Sequence, residues 1–208
     1  MGAACCDTVS IATPLGRVIL EGPIKSEVIE TLKMNNKLNN FRPPERQKEA
    51  LSEIAGMPGG MVFAARNENE IVGYVTFHPP EGFSRWSKHP SVLELGCIEV
   101  SSDWRQCGIG EALLKEAFNN SVMEDFIVIT IEFYWHWDLE GCGLGIFEYQ
   151  KMLSNLFGMV GLKKRFTDDP DIMEHPANVL LARAGKRVGQ EEIQLFENML
   201  FERKKAAI

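Results

Sequence analysis

The sequence predicts an α+β (α/β) fold in which a mixed central sheet is flanked by helices. Three observations point there. Runs rich in β-branched and aromatic residues alternate with stretches whose apolar residues repeat at helical spacing. Two of those runs, 61–65 and 71–77, are separated by a tip short enough for an antiparallel hairpin. A third run ends at Val100, and a helical pattern begins only a few residues later. No internal repeat and no Gly-, Pro- or Ser-rich linker divides the chain, so all 208 residues are read as a single domain.

Each element has a local reason. Arg17 to Glu21 reads as a strand closed by Gly22-Pro23, and Ser26 suits an N-cap for a helix through about Lys33. Phe41-Arg42-Pro43-Pro44 enters a second helix, with Ala50, Leu51, Ile54 and Ala55 on one face, until Gly56 and Pro58 stop it. Met61 to Ala65 and Ile71 to Phe77 form the hairpin around Asn67-Glu68-Asn69. Val92 to Val100 is a clear strand; after it Ile109, Leu113, Leu114, Ala117 and Phe118 share a helix face. Phe126 to Phe133 alternates as a strand, Ile146 to Met159 is helical, Asn178 to Arg183 is a late strand, and Gln190 to Arg203 closes the chain as an amphipathic helix.

Composition excludes several classes of function. A formal charge of −7 supplies no basic field for a phosphate backbone, so nucleic acid is not the expected partner. The longest apolar stretches, such as Phe126 to Ile131, fall far short of the roughly 20 residues that cross a bilayer, so no membrane partner is expected either. Five cysteines, with no C-x-x-C pair and no His at zinc-ligand spacing, read as reduced thiols of a cytoplasmic protein, and no metal site is spelled. The opening Met-Gly-Ala-Ala-Cys-Cys lacks the Ser or Thr at position 6 of a myristoylation signal, and no signal peptide is visible.

The informative segment is Ile98-Glu99-Val100-Ser101-Ser102-Asp103-Trp104-Arg105-Gln106-Cys107-Gly108-Ile109-Gly110, which joins a strand end to a helix start. Glycines at 108 and 110 remove β-carbons where a ligand must approach backbone. First-turn amides lack intrahelical partners and carry the positive end of the helix dipole, so the place suits phosphate. It is neither a P-loop, which needs Gly-Lys-Ser/Thr, nor the G-x-G-x-x-G dinucleotide fingerprint.

The spacing R-x-x-G-x-G, with its flanking strand and helix, resembles the pyrophosphate-binding signature of the GNAT acyltransferase superfamily. The resemblance implies the GNAT acyl-CoA N-acyltransferase fold, with a coenzyme-binding core at about 60–165 and a C-terminal strand and helix over 175–205. It implies acetyl-CoA as donor, its pyrophosphate on the amides of Gln106, Cys107, Gly108, Ile109 and Gly110 after Arg105, and its pantetheine lying as a pseudo-strand beside Ile98 and Val100. A strand edge can pair with the pantetheine amides as it would with an added peptide strand.

Further segments, Phe41-Arg42-Pro43-Pro44, Ile71-Val72-Gly73-Tyr74-Val75-Thr76, Glu94-Leu95-Gly96, Tyr134-Trp135-His136-Trp137-Asp138-Leu139 and His175-Pro176-Ala177-Asn178, resemble the AcuA family of acetoin-utilization acetyltransferases from about Ile11 onward. That family is known for acetylating an active-site lysine of AMP-forming acetyl-CoA synthetase, so the resemblance implies a protein lysine as acceptor and that synthetase as partner. An acetyltransferase for small amines and a non-catalytic acyl-CoA sensor are the alternatives. The sequence does not fix the oligomeric state, and a homodimer stays open.

Lysine, with an ordinary pKa near ~10.4, must lose a proton before it attacks a thioester. Glu94 is the leading candidate base, on the donor-binding strand at a position where some lysine acetyltransferases of the superfamily carry theirs; Glu99 is second. Alternation puts the two on opposite faces unless a bulge intervenes. Either glutamate could instead be a strand carboxylate paired with a basic neighbour. Many GNAT enzymes protonate the leaving thiolate with a helix tyrosine, but the corresponding place here is Phe157, which leaves Tyr134 or Tyr149 as substitutes or no acid at all. Glu132 to Asp138 is read as an acceptor-side wall or an aromatic cap on the core. His78, His89 and His175 are read as loop or packing residues and Cys107 as a small filler. Lys163-Lys164-Arg165 and Arg203-Lys204-Lys205 read as solvated charge, with a role for the first at the coenzyme's 3′-phosphate as alternative.

Overall fold

The computed structural model describes residues 9–202. Cys5, Cys6 and the cluster Arg203-Lys204-Lys205 lie outside them. The chain runs β1 (Val9–Thr13), β2 (Gly16–Glu21), α1 (Ser26–Thr31), β3 (Lys33–Met34), α2 (Pro44–Gly56), β4 (Met61–Asn67), β5 (Glu70–His78), β6 (Val92–Val100) and α3 (Ile109–Asn119). It continues through β7 (Ile127–Glu132), α4 (Leu139–Cys142), α5 (Ile146–Gly158), β8 (Lys163–Arg165), α6 (Pro170–Met173), β9 (Val179–Ala184) and α7 (Gln190–Met199). Among the described residues the strands form one nine-stranded sheet, in the order β1-β2-β4-β5-β6-β7-β9-β8, with β3 beside β5. β6 with β7 and β3 with β5 pair in parallel, whereas β1–β2, β2–β4, β4–β5, β7–β9 and β8–β9 are antiparallel, so the sheet is mixed as expected.

The contacts divide the chain into two compact units that interleave in sequence. One runs to His78 and resumes over Gly96–Asn120; the other takes Pro79–Leu95 and the chain from Ser121 onward.

In the first unit β5 is buried along nearly its whole length, which explains its near-continuous apolar run: both faces of the strand are covered. On one face Tyr74, Ile71, Val62 and Ala64 pack with Ile29, Leu32, Leu38 and Leu51 from α1, α2 and the loop between them. On the other lies α3, with Leu113, Leu114 and Ala117 buried. Gly73 permits that close approach, since a Cβ there would stand 3.1 Å from the Glu99 carbonyl oxygen and 3.4 Å from Ile109 and Leu113 side-chain carbons.

In the second unit Trp86 lies against Phe196 at 5.5 Å between ring centroids and joins Val92, Ile127, Ile129 and Leu180 in the core. Arg85 is the polar anchor: it donates to Asp168 at 2.7 Å and to the Met199 carbonyl at 3.1 Å, and pairs with Asp169 at 3.1 Å.

The sequence-based boundaries hold within a residue or two for most elements, and β6 falls on the residues expected. Ser26 opens α1 rather than capping it, because Lys25 takes the cap position. The last helix stops at Met199 instead of Arg203. Lys163 to Arg165 is a strand, β8, at the end of the sheet order; Lys163 and Lys164 are exposed there and Arg165 pairs with Glu197. Lysines on an edge strand deter pairing with another chain.

Candidate active site

The site is built at the end of β6. Buried Ser101 fixes that end: its amide donates to the Val72 carbonyl at 2.9 Å, and its hydroxyl donates to Asn35 Oδ1 at 2.8 Å. A 3-10 turn over Ser102–Trp104 follows, with Trp104 tucked inward. The backbone then takes two left-handed residues, Gln106 at φ +61° and Gly108 at φ +75°, before α3 begins at Ile109. Alternating backbone hands of this kind turn successive amides toward one concavity, a cradle for anions. Among the described residues the first helical bond here is Ala112 N–H to the Gly108 carbonyl, and the amides of Gln106, Cys107, Gly108, Ile109 and Gly110 donate to no protein acceptor. A β-carbon on Gly108 would meet open space, so glycine is needed there for its backbone conformation and not for room. Donor-rich, accessible and at the positive end of α3, the cradle fits a diphosphate.

The strand beside it supplies two faces. Ile98 and Val100 lie toward the start of α3, their side chains 3.9 and 3.8 Å from where a Cβ of Gly110 would be. Glu99 points the other way, as alternation requires. It is buried, accepts from the Tyr74 phenol at 2.5 Å through Oε2, and accepts from the Asn40 amide at 2.9 Å through Oε1. Burial pushes the Glu99 carboxyl above the usual carboxylate range, against the pull of Tyr74, the Asn40 and Asn39 amides and the positive charge of Arg105. The Tyr74 phenol is pushed up by burial, by Cys97 and by Glu99, so it keeps its proton and is the donor of the pair. Arg42, whose charge opposes that rise, donates to Gln47 Oε1 at 3.3 Å.

All of the expected coenzyme residues, Ile98, Val100 and Arg105 to Gly110, belong to the first unit, together with Glu99. The other two candidates for chemistry, Glu94 and Tyr134, belong to the second. Glu94 is half-buried on β6 opposite Ile129 of β7. The Tyr134 amide donates to Asn178 Oδ1 at 3.1 Å and its ring packs on His175 at 4.1 Å between centroids. Tyr149 stacks on Trp137 at 5.2 Å between ring centroids, and Phe157 is wholly buried. Glu132, raised by burial, accepts from Thr130 and from the Trp137 indole, and burial lowers His136. His89 is a packing residue: Nδ1 accepts from the Ser91 amide, which leaves Nε2 to donate to the Glu192 carbonyl. Among the described residues no cluster of His, Cys, Asp and Glu could hold a metal, and no helix is long and apolar enough to cross a membrane.

Sequence reasoning passed over the carboxylate's partners, Tyr74 and the Asn39-Asn40 backbone. One signal was readable: a tyrosine inside a strand buried on both faces needs a partner for its hydroxyl. The Asn40 contact had none, because it is made by a main-chain amide 59 residues away from Glu99.

The mixed sheet with this turn at the foot of a helix defines the class of protein. The model of the acetyltransferase (GNAT) family matches residues 31–131, a stretch holding the turn, Glu99 and Tyr74, and the chain is an N-acetyltransferase of that family. More particularly it belongs to the AcuA family. It is 42% identical to the acetoin utilization protein AcuA of Bacillus subtilis (strain 168) over 93% of both chains, and 43% identical to that of Bacillus licheniformis over 92% of both. The crystal structure of an acetoin utilization protein from Exiguobacterium sibiricum 255-15 is similar over 100% of each chain, at 40% identity and a TM-score of 0.95. The GNAT domain of S. lividans PAT shares the fold alone, at 12% identity and a TM-score of 0.53 over 85% of this chain and 96% of that one.

Proposed function

We propose that this N-acetyltransferase transfers the acetyl group of acetyl-CoA to an active-site lysine of AMP-forming acetyl-CoA synthetase in the cytoplasm, switching the synthetase off. The observation that carries the donor half is the run of unengaged amides from Gln106 to Gly110 at the positive end of α3. The acceptor half is supported by identity above 40% with acetoin utilization proteins along almost the whole chain.

In this reading the amides of Gln106 to Gly110 hold the coenzyme's diphosphate, and the edge formed by Ile98 and Val100 aligns the pantetheine. Glu99 is our choice of base over Glu94. It is a carboxylate fixed at both oxygens, within the same unit as the cradle, and its raised pKa brings it closer to working pH, where a general base is most effective. The acceptor ammonium gives a proton to Glu99, directly or through water. The freed lone pair forms the C–N bond at the thioester carbon, the C–S bond breaks with its electron pair leaving on sulfur, and the surplus proton of the new amide nitrogen passes to that sulfur, directly or through water, giving the free thiol. A thiol is acidic enough that its thiolate departs without a dedicated acid, so the step does not require Tyr134.

The test is incubation of the full chain with purified synthetase and acetyl-CoA, followed by peptide-resolved mass spectrometry and a synthetase assay. One acetylated lysine and loss of synthetase activity are expected. An unmodified, fully active synthetase would refute the acceptor assignment, and transfer to free small amines in its place would establish the other class of acceptor.

A further inference from the structure

We propose that Tyr74 is a positioning residue of acyl transfer: its phenol, anchored in the first unit's core, holds the Glu99 carboxylate in place and sets how tightly Glu99 keeps a proton. The inference rests on the reading of Glu99 as base.

The geometry is that of a buried clamp. Tyr74 and Glu99 are both almost without solvent exposure, and they come from neighbouring strands of the sheet. The ring of Tyr74 packs among Ile29, Leu32, Leu51 and Ile71, so the hydroxyl has a fixed origin. Its 2.5 Å contact takes one carboxylate oxygen, and the Asn40 amide takes the other from the loop that precedes α2. Two donors on opposite oxygens leave the carboxylate little rotational freedom.

The charged and titratable groups facing the pair are few. Arg105 comes from the turn after β6, Arg42 from the entry to α2, and Cys97 from β6 itself. Arg105 favours the carboxylate, as does the phenol's hydrogen bond, while burial opposes it; Arg42 acts on the phenol, whose rise it opposes. A hydrogen bond from a neutral donor to a buried carboxylate is among the stronger kinds, because its acceptor is ionised, and it favours the charged form over the protonated one. Removing it shifts the carboxyl's midpoint upward by about one pH unit. Below that midpoint the reaction slows by about tenfold, while at high pH, where Glu99 is ionised regardless, the rate returns. A role confined to packing would depress the rate at every pH alike.

The experiment compares full-length wild type, Tyr74→Phe and Glu99→Gln. The pH profile of kcat/KM is read with the synthetase as acceptor, and the Glu99 midpoint is read by carbon NMR of labelled glutamate carboxyls, with Glu99→Gln giving the assignment. Tyr74→Phe is expected to raise the midpoint and the acid limb together by about one unit and to keep the high-pH plateau. Incorporating fluorotyrosine, a more acidic donor of almost the same size, is expected to move both the other way, and this arm stands if the phenylalanine variant does not fold. An unmoved midpoint, or a uniform loss of rate at all pH values, overturns the proposal. If Glu99→Gln loses the acid limb while Tyr74→Phe leaves it in place, the proposal alone falls. If Glu99→Gln keeps the wild-type rate and limb, the base reading falls and this proposal with it.

Discussion

Gly110→Ala separates binding from folding at the cradle. Gly110 is the second residue of α3. A methyl group there would touch only Val100 and Ile98 side chains, at 3.8 and 3.9 Å, which is ordinary van der Waals contact. The free protein therefore has no steric objection. Alanine is the better helix former by about 0.8–1.0 kcal/mol in a helix interior, and near the first turn roughly half of that applies. For a chain of this size a gain of roughly 0.5 kcal/mol raises Tm by about 1–2 °C. The same methyl projects toward Ile98 and Val100, the edge assigned to pantetheine, and next to the amides assigned to the diphosphate. Crowding a packed contact by one methylene costs about 1–3 kcal/mol, or roughly 5- to 150-fold in Kd. Thermal melts without ligand, beside calorimetric titration with coenzyme A, read the two quantities. The expected result is an equal or higher Tm with a clearly weaker Kd. A Kd unchanged within twofold would show that the ligand does not come near Gly110, and the placement of the donor would be wrong.

Gly108→Ala is expected to behave differently: the left-handed φ of +75° costs an alanine about 1–2 kcal/mol although the space is open, so urea unfolding should show that loss, and a variant as stable as wild type would contradict the conformation. Glu99 holds its proton more tightly when folded than its ordinary value of 4.5, so its contribution to stability declines as pH rises through the window above 4.5. The stability of Glu99→Gln relative to wild type should accordingly increase from acid to neutral pH, and a flat difference would contradict the raised carboxyl. Arg85→Leu strands two carboxylates that are mostly shielded from water and should cost about 3–5 kcal/mol in urea unfolding, whereas a loss below about 1 kcal/mol would show the ion pairs to be dispensable.

What could be read in advance followed from local chemistry. The helix entered through Pro43-Pro44 and the hairpin around Glu68 are specified by their own residues, and β6 with its turn was legible because strand pattern, glycines and helical periodicity abut. β1 and β3 were not, since five mostly exposed residues and a two-residue bridge carry too little periodicity; they exist through pairing with β2 and β5. β8 was hidden by its charges, which suit an exposed strand at the end of the sheet order better than the alternating pattern of an interior one. At the site, the amide cradle is a property of consecutive residues and so could be anticipated. The environment of Glu99 is assembled from Tyr74, Asn39 and Asn40, far away in sequence, and burial rather than residue type distinguishes it from Glu94.

Donor binding depends most on the grip of residues 106–110 on a diphosphate. Calorimetric titration of the full chain with coenzyme A and, separately, with pantetheine, which lacks the phosphates, measures that grip. One-to-one binding of coenzyme A, at least about tenfold tighter than pantetheine and weakened by salt, is the predicted result. Equal affinity for the two, or no heat with coenzyme A, would contradict it.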